Sequence, residues 1–205
     1  MNIEWHHQRL GRFTASEIHK LMGERGGITT ETAQTYIREK VAEQLSGWWD
    51  EVTSKEMEWG KQLEPDAREY YELAFGVKTG MADFIVADWC DDAGCTPDGL
   101  IIGQSKGIEI KCPWNPANHV SHMMIKTPAD FKKTNKKYYW QVQMCMAVMG
   151  FDTWDFISYD PRFTGKHRMY VVEIPIVMDD VDNLKKNIIA ASEQKKEMLN
   201  IINSR

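Results

Sequence analysis

Apolar positions recur at helical intervals in several long stretches of the chain. Tyr36, Val41 and Leu45 place a helix over Thr29–Leu45, and Gly47 closes it. Between Lys55 and Phe75, Trp59, Leu63, Ala67, Tyr70 and Ala74 repeat every three or four residues. Pro65 interrupts that stripe, so a kink or a fresh first turn is expected there. A Lys-rich stretch (Lys126, Lys132, Lys133, Lys136, Lys137) leads into a helix from about Phe131 to Met149, and a last helix is predicted from about Val181 to Ile202. Near the start, Thr14 stands three residues before Glu17, a capping-box pattern that predicts a helix over Thr14–Met22 ahead of a Gly26-Gly27 break.

The middle of the chain changes character. Asp83–Asp88, Cys95–Ile102 and Gly107–Pro113 read as short strands, with Gly103-Gln104-Ser105-Lys106-Gly107 as a hairpin loop. Two more strands are expected near Trp154–Tyr159 and Met169–Ile176. Helices, a strand cluster, a helix, strands and a helix make a single mixed α/β (α+β) domain over 1–205, without internal repeats or a linker.

Composition adds limits. With 42% hydrophobic and 27% charged residues, the 205-residue chain has an ordinary globular make-up. No apolar run approaches the ~20 residues of a membrane span, and Met1-Asn2-Ile3-Glu4 does not look like a signal peptide. A soluble, unexported, cytoplasmic protein is expected. The formal net charge of −5 argues against a non-specific coat for nucleic acid, so any DNA site must be local. Cys90, Cys95, Cys112 and Cys145 match neither zinc-ligand spacing nor a disulfide framework, and read as reduced, packed thiols.

Candidate chemistry centres on Gly107-Ile108-Glu109-Ile110-Lys111. Glu109 and Lys111 share one face of a strand, ~7 Å apart, while Ile108 and Ile110 face a core. If the hairpin loop is Gly103–Lys106, Ile102 pairs with Gly107 and Asp98 falls opposite Lys111 on that same face. A register slip of one residue would send Asp98 to the other side. Two carboxylates and a backbone carbonyl suit a hard divalent cation, and a neighbouring lysine can orient water. The plain alternative is a solvated strand with a weak Glu–Lys pair. Pro97-Asp98 ahead of Glu109-x-Lys111, across a hairpin, is the PD-(D/E)xK nuclease pattern.

The resemblance extends further. Trp5–Glu17 (W-H-H-Q-R-L-G-R-F-T-A-S-E), Trp59–Arg68 (W-G-K-Q-L-E-P-D-A-R), Cys95–Leu100, Gly107–Pro113, Gln141–Gln143 and Tyr159–Arg162 stand in order. Together they resemble the lambda-exonuclease type of YqaJ-like viral recombinases, over roughly Trp5 to Ile176. That resemblance implies a restriction-endonuclease-like core, a central mixed β-sheet flanked by helices. It implies Asp98, Glu109 and the Ile110 carbonyl as metal ligands, Lys111 as the residue that positions the attacking water, and Glu64 as a third carboxylate acting through water. Pro65 after Glu64 departs from the expected pattern, and on spacing alone Glu64 is a surface partner of Arg68. Gln141 matches a glutamine beside the catalytic face, although by periodicity it borders the stripe of Tyr138, Val142, Cys145 and Met149.

Arg9 offers a donor fork suited to phosphate. By resemblance, Arg9, Ser16 and Thr96 form a pocket for a terminal 5′-phosphate, with Thr96 standing where a serine is expected but keeping the hydroxyl. Arg25, in the Gly-flanked loop after the first helix, would track the DNA backbone or minor groove. The tryptophans, Trp114 among them, are candidates for core, subunit contact or base stacking. The implied activity is a Mg²⁺-dependent 5′→3′ exonuclease on double-stranded DNA ends, with two ions per site and Mn²⁺ as a substitute. A ring-shaped homotrimer, a phage single-strand annealing protein as partner, and a phage- or prophage-encoded gene in a bacterial host are implied with it. The rivals are a structure- or site-selective endonuclease and a non-catalytic DNA-end-binding scaffold.

Overall fold

The computed structural model describes residues 3–23, 27–48 and 53–204, so Arg25 and Gly26 lie outside the described residues. The chain begins with α1 (Ile3–Arg9) and β1 (Phe13–Thr14), then a 3₁₀ segment at Ala15–Leu21. Helices α2 (Glu31–Ser46) and α3 (Lys55–Phe75) precede strands β2 (Thr79–Gly80), β3 (Ile85–Ala87), β4 (Cys90–Cys95), β5 (Gly99–Ile101) and β6 (Lys106–Lys111). Then come α4 (Pro116–His122), α5 (Pro128–Thr134), α6 (Lys136–Met149), β7 (Thr153–Tyr159), β8 (Met169–Pro175) and α7 (Met178–Asn203).

Local chemistry sets the helix ends. The Thr30 and Ser54 hydroxyls accept from Ala33 N and Met57 N at the starts of α2 and α3, and Gly47 and Gly76 end them at φ 67° and 65°. Pro65 does not start a new helix; a single helix runs through it, with the Lys61 carbonyl deprived of its usual donor. The expected helix over Thr14–Met22 is a 3₁₀ segment instead. Its capping box does not form: the Thr14 hydroxyl meets Ser16 Oγ at 3.3 Å, and Glu17 pairs with Lys20 at 2.7 Å. The helix expected over 131–149 is two, because Asn135 ends α5 and caps α6 through its side chain.

A five-stranded mixed sheet runs β2-β5-β6-β7-β8, with β6 and β7 parallel and the other pairs antiparallel. A smaller sheet, β1-β4-β3, stands beside it. The predicted strand Cys95–Ile102 is thus split: β4 ends in one sheet, and Thr96-Pro97-Asp98 carries the chain to β5 in the other. Parallel β6 and β7 require a crossover, which α4, α5 and α6 provide.

The two faces of β6 meet different cores. Ile108 and Ile110 pack with Ala67 and Tyr71 of α3 and with Ile157. The opposite face of the neighbouring strand sends Trp154 and Phe156 into the larger core, with Tyr139, Val142 and Cys145 of α6 and Leu184 and Ile188 of α7. Glu109, registered beside Phe156, is fully buried. A charge at that position needs a partner or an ion to repay its desolvation.

Candidate active site

Strands β5 and β6 pair with Gly99 opposite Ile108 and Leu100 opposite Gly107. The expected register, Ile102 with Gly107, is therefore corrected: continuing the observed one sets Asp98 beside Glu109 rather than Lys111. Moving a four-residue loop back by one position changes the pairing by two, so the alternation is kept and Asp98 still reaches the Glu109 and Lys111 face. There Asp98 Oδ2 accepts from Ile110 N at 2.7 Å and lies 3.8 Å from Lys111 Nζ. Gly99 makes a close approach possible. A Cβ there would sit 2.5 Å from Arg68 Nη1, and Arg68 uses that space to donate to the Asp98 carbonyl.

Around this hairpin the charges alternate. Lys111 Nζ contacts Glu109 Oε1 and lies 5.0 Å from the centre of the Tyr138 ring. Arg68 pairs with Glu64 at 3.1 Å, four residues back on α3. Burial pushes the Glu109 carboxyl up, reinforced by the negative charge of Asp98. Burial and Asp98 also raise the Glu64 carboxyl. Both effects express an excess of anionic groups in poor contact with water. Glu109 shows it most directly: neither buried oxygen accepts a hydrogen bond of ordinary geometry, despite the Lys111 contact. These donors fit a hard divalent cation, which takes oxygen ligands. The fit is two carboxylates and the Ile110 carbonyl; among the described residues no three His, Cys, Asp or Glu side chains form a ready-made cage.

Asp98, Ile110, Lys111, Glu64 and Gln141 line one cleft of about 530 Å³, together with Ser16, Tyr138, Lys137, His122, Trp114 and the Met57–Gly60 side of α3. Gln141 is only 8% exposed. At the Ser16 end of the cleft, Arg9 donates to Thr96 Oγ1 at 3.3 Å and to Ser16 Oγ at 3.5 Å. A guanidinium and a hydroxyl from the start of the chain thus meet the Thr96 hydroxyl, 87 residues from Arg9, and the short Thr96-Pro97-Asp98 link ties them to the carboxylates. Burial lowers the Arg9 pKa from its ordinary value, so its charge is held in a partly desolvated place where an anion binds strongly. Of the Lys cluster, Lys132 is paired with Asp180 at 2.7 Å and Lys137 with Glu17 at 3.4 Å.

Sequence reasoning missed His122. It sits on α4, whose start is signalled in the sequence only by Asn115 followed by Pro116. His119 Nε2 lies 2.8 Å from the His167 carbonyl, His119 Nδ1 lies 2.8 Å from Ser158 Oγ, and His122 Nδ1 lies 2.8 Å from the same oxygen. For two neutral rings this network has one proton assignment. A carbonyl only accepts, so His119 carries its proton on Nε2 and its Nδ1 accepts the Ser158 hydroxyl proton. Ser158 then accepts from His122 Nδ1–H, and the unprotonated atom of the cleft-lining His122 is Nε2. Burial keeps this ring neutral, lowering its pKa to about 4.

Residues 4–152 match the family model for the YqaJ-like viral recombinase domain. The chain belongs to the YqaJ-like viral recombinase family. Among solved structures, the alkaline exonuclease LHK-Exo of Laribacter hongkongensis is 25% identical with a TM-score of 0.84, over 99% of this chain and 97% of that one. Its complex with dAMP is similar at 26% identity and a TM-score of 0.85, with the same coverage. A phage-related exonuclease from Haemophilus somnus 129PT shares the fold at 18% identity, with a TM-score of 0.76 over 93% of this chain and 96% of that one. No curated protein sequence matches the chain. This YqaJ-type chain therefore has the mixed, helix-flanked PD-(D/E)xK architecture, and its membership is consistent with a nuclease. No helix among its described residues is long and apolar enough to cross a membrane.

Proposed function

We propose that this chain is a Mg²⁺-dependent exonuclease that enters linear duplex DNA at a 5′ end. It releases 5′-mononucleotides and leaves a 3′ single strand for recombination by strand annealing. The observation that carries this reading is the fully buried Glu109 carboxylate, short of hydrogen bonds, in contact with Lys111, which lines a cleft with Asp98 in a YqaJ-family chain. Asp98, Glu109 and the Ile110 carbonyl hold the cations, two per site with Mn²⁺ as a substitute, and Glu64 acts through water. Bound there, divalent cations supply positive charge to the phosphodiester as it gains negative charge.

The chain's own groups do the positioning. The Lys111 ammonium, fixed between Glu109 and Asp98, donates to the attacking water and aims its lone pair at phosphorus. Gln141 borders the same space from α6. Water adds in line and gives up a proton to solvent, the bond to the 3′-oxygen breaks, and that oxygen takes a proton from solvent. Arg9, Ser16 and Thr96 hold the terminal 5′-phosphate and so count the cut from the end. Arg25 is assigned to the DNA backbone or minor groove. The reading includes a homotrimer, a phage single-strand annealing protein as partner and action in the cytoplasm of a bacterial host. Light scattering near three times 23.8 kDa checks the trimer.

The test of the activity compares a 5′-phosphorylated linear duplex with a closed circle in Mg²⁺, with Asp98→Ala as the blank. Mononucleotides from the linear substrate alone support the exonuclease. Cutting of the circle moves the assignment to an endonuclease, and metal-independent binding without product moves it to a DNA-end scaffold.

A further inference from the structure

Two features of the cleft wall are unexplained by the catalytic groups. The first is Trp114, which follows β6, lines the cleft and is 47% exposed. Half-exposed indole is costly, yet this one is held rigidly. Its ring meets Trp59 edge-on, 5.5 Å between centroids and 87° between planes. Its backbone is clamped by Arg162 Nη2, which donates to the Pro113 and Trp114 carbonyls at 3.0 Å each. Arg162 is in turn fixed by the fully buried Asp160 at 2.8 Å and lies over the Trp59 ring at 5.0 Å.

The second is Gly60. It stands inside α3 without a cap or a turn to explain it, and glycine is a poor helix former. A glycine in mid-helix ordinarily makes room for a neighbour, but a Cβ at Gly60 would meet nothing within 4 Å. The room it leaves belongs to the cleft, beside Met57 and next in sequence to the Trp59 that supports Trp114.

We propose that Trp114 and the gap at Gly60 form a slot for a nucleobase, that of the 5′-terminal nucleotide of the strand being digested. The inference rests on the exonuclease reading and deepens it. A flat, rigid indole binds every base through its π-face, so the slot is tolerant of sequence, as an enzyme that removes each nucleotide in turn requires. Trp59 and Arg162 are positioning residues that hold the platform. A stacked terminal base is also an unpaired one, which places strand separation at the Trp114 wall.

The experiment uses the full chain carrying Asp98→Asn, which keeps an acceptor for Ile110 N, with a 5′-phosphorylated duplex bearing 2-aminopurine as the 5′-terminal base. A remote fluorophore reports end binding by anisotropy, independently of 2-aminopurine emission. Binding with quenched emission is expected. Adding Trp114→Ala abolishes the quench and weakens end binding by roughly tenfold to a hundredfold, the range for one lost base stack, whereas Trp114→Phe restores most of both. Gly60→Leu, which favours the helix and fills the gap, lowers the quench with Trp114 intact. End binding with the quench unchanged in Trp114→Ala and Gly60→Leu overturns the slot alone. Failure of the Asp98→Asn chain to bind duplex ends at all overturns the exonuclease reading, and the slot with it.

Discussion

The Asp98 carboxylate accepts a 2.7 Å hydrogen bond from the backbone N–H of Ile110. One oxygen of a proposed metal ligand therefore pins the strand that carries the other, Glu109. Asp98→Asn and Asp98→Ala both remove the negative charge beside Glu109, so the difference between them isolates this hydrogen bond. Asn is expected to be more stable than Ala by about 1 kcal/mol, about 2–4 °C in melting temperature for a chain of this size. Both are expected to lose cleavage by at least about 100-fold, the order seen when one group stabilising the transition state is removed. Calorimetry beside a single-turnover assay checks this. An active Asn variant removes Asp98 from the ligand set.

Arg9 joins Ser16 and Thr96 at 3.5 and 3.3 Å, and Ser16 lines the same cleft as Lys111. A group that holds the 5′-phosphate after each cut biases the enzyme to stay on the DNA, and contributes less to the bond cleavage itself. Arg9→Ala is expected to shorten the tract degraded per encounter severalfold while single-turnover cleavage changes less. Arg9→Lys keeps the charge but loses the fork, and should fall between. Product lengths under trap conditions decide the matter, and an unchanged distribution in Arg9→Ala rejects the role.

Arg9 and Thr96 also show how far the sequence could be read. The long helices α2, α3, α6 and α7 were visible because their apolar stripes are long, and Asp98, Glu109 and Lys111 share a face because strand alternation survives an error of two in register. What was invisible depends on partners distant in sequence. Cys90-Asp91-Asp92-Ala93-Gly94-Cys95 has no strand alternation, yet it is β4 because β1 and β3 pair with it from either side. Thr14 looked like a helix cap, but its hydroxyl is used on Ser16 and its backbone N–H donates to Tyr36 Oη at 3.2 Å. Only family resemblance groups Arg9, Ser16 and Thr96, since no spacing rule joins residues 9 and 96.

Glu72 secures the end of α3 to the edge strand β2. It accepts from Lys78 Nζ at 2.9 Å and from Thr79 N and Oγ1 at 2.8 and 2.7 Å. The Lys78 bond, followed by the Thr79 bonds, holds its carboxyl down at about 2. A depressed carboxylate pKa means the folded state gives up protons more readily than the unfolded one. Its stabilisation is complete above the unfolded value of 4.5 and is lost as pH falls from there toward 2. Glu72→Gln is therefore expected to lower the melting temperature at pH 7 and to shrink the gap between pH 7 and pH 3. Melting curves across that range check it, and an equal drop at both pH values would mean that Glu72 acts by packing alone.

The hydrogen-bond chain from the His167 carbonyl through His119 and Ser158 to His122 fixes which nitrogen of His122 is bare. With Nδ1 donating to Ser158, Nε2 keeps its lone pair, and burial, then the neighbouring His119 and Lys111, lower the ring's pKa to about 4. His122 also meets Phe156 edge-on at 5.1 Å and Tyr138 at 6.0 Å, so the ring has little freedom to flip. In ¹⁵N NMR of the full chain at neutral pH, His122 Nε2 is expected to give a pyridine-type resonance and Nδ1 a pyrrole-type one, with His122→Asn supplying the assignment. That pattern should persist down to about pH 5. Ser158→Ala removes the acceptor that selects the tautomer, and the two nitrogens should then average toward each other. The bare nitrogen at Nδ1 would mean that the Ser158 hydroxyl proton points to His122 instead, and a protonated ring at pH 6 would leave Nδ1 donating but add a proton at Nε2; in either case the cleft receives a donor where an acceptor is expected.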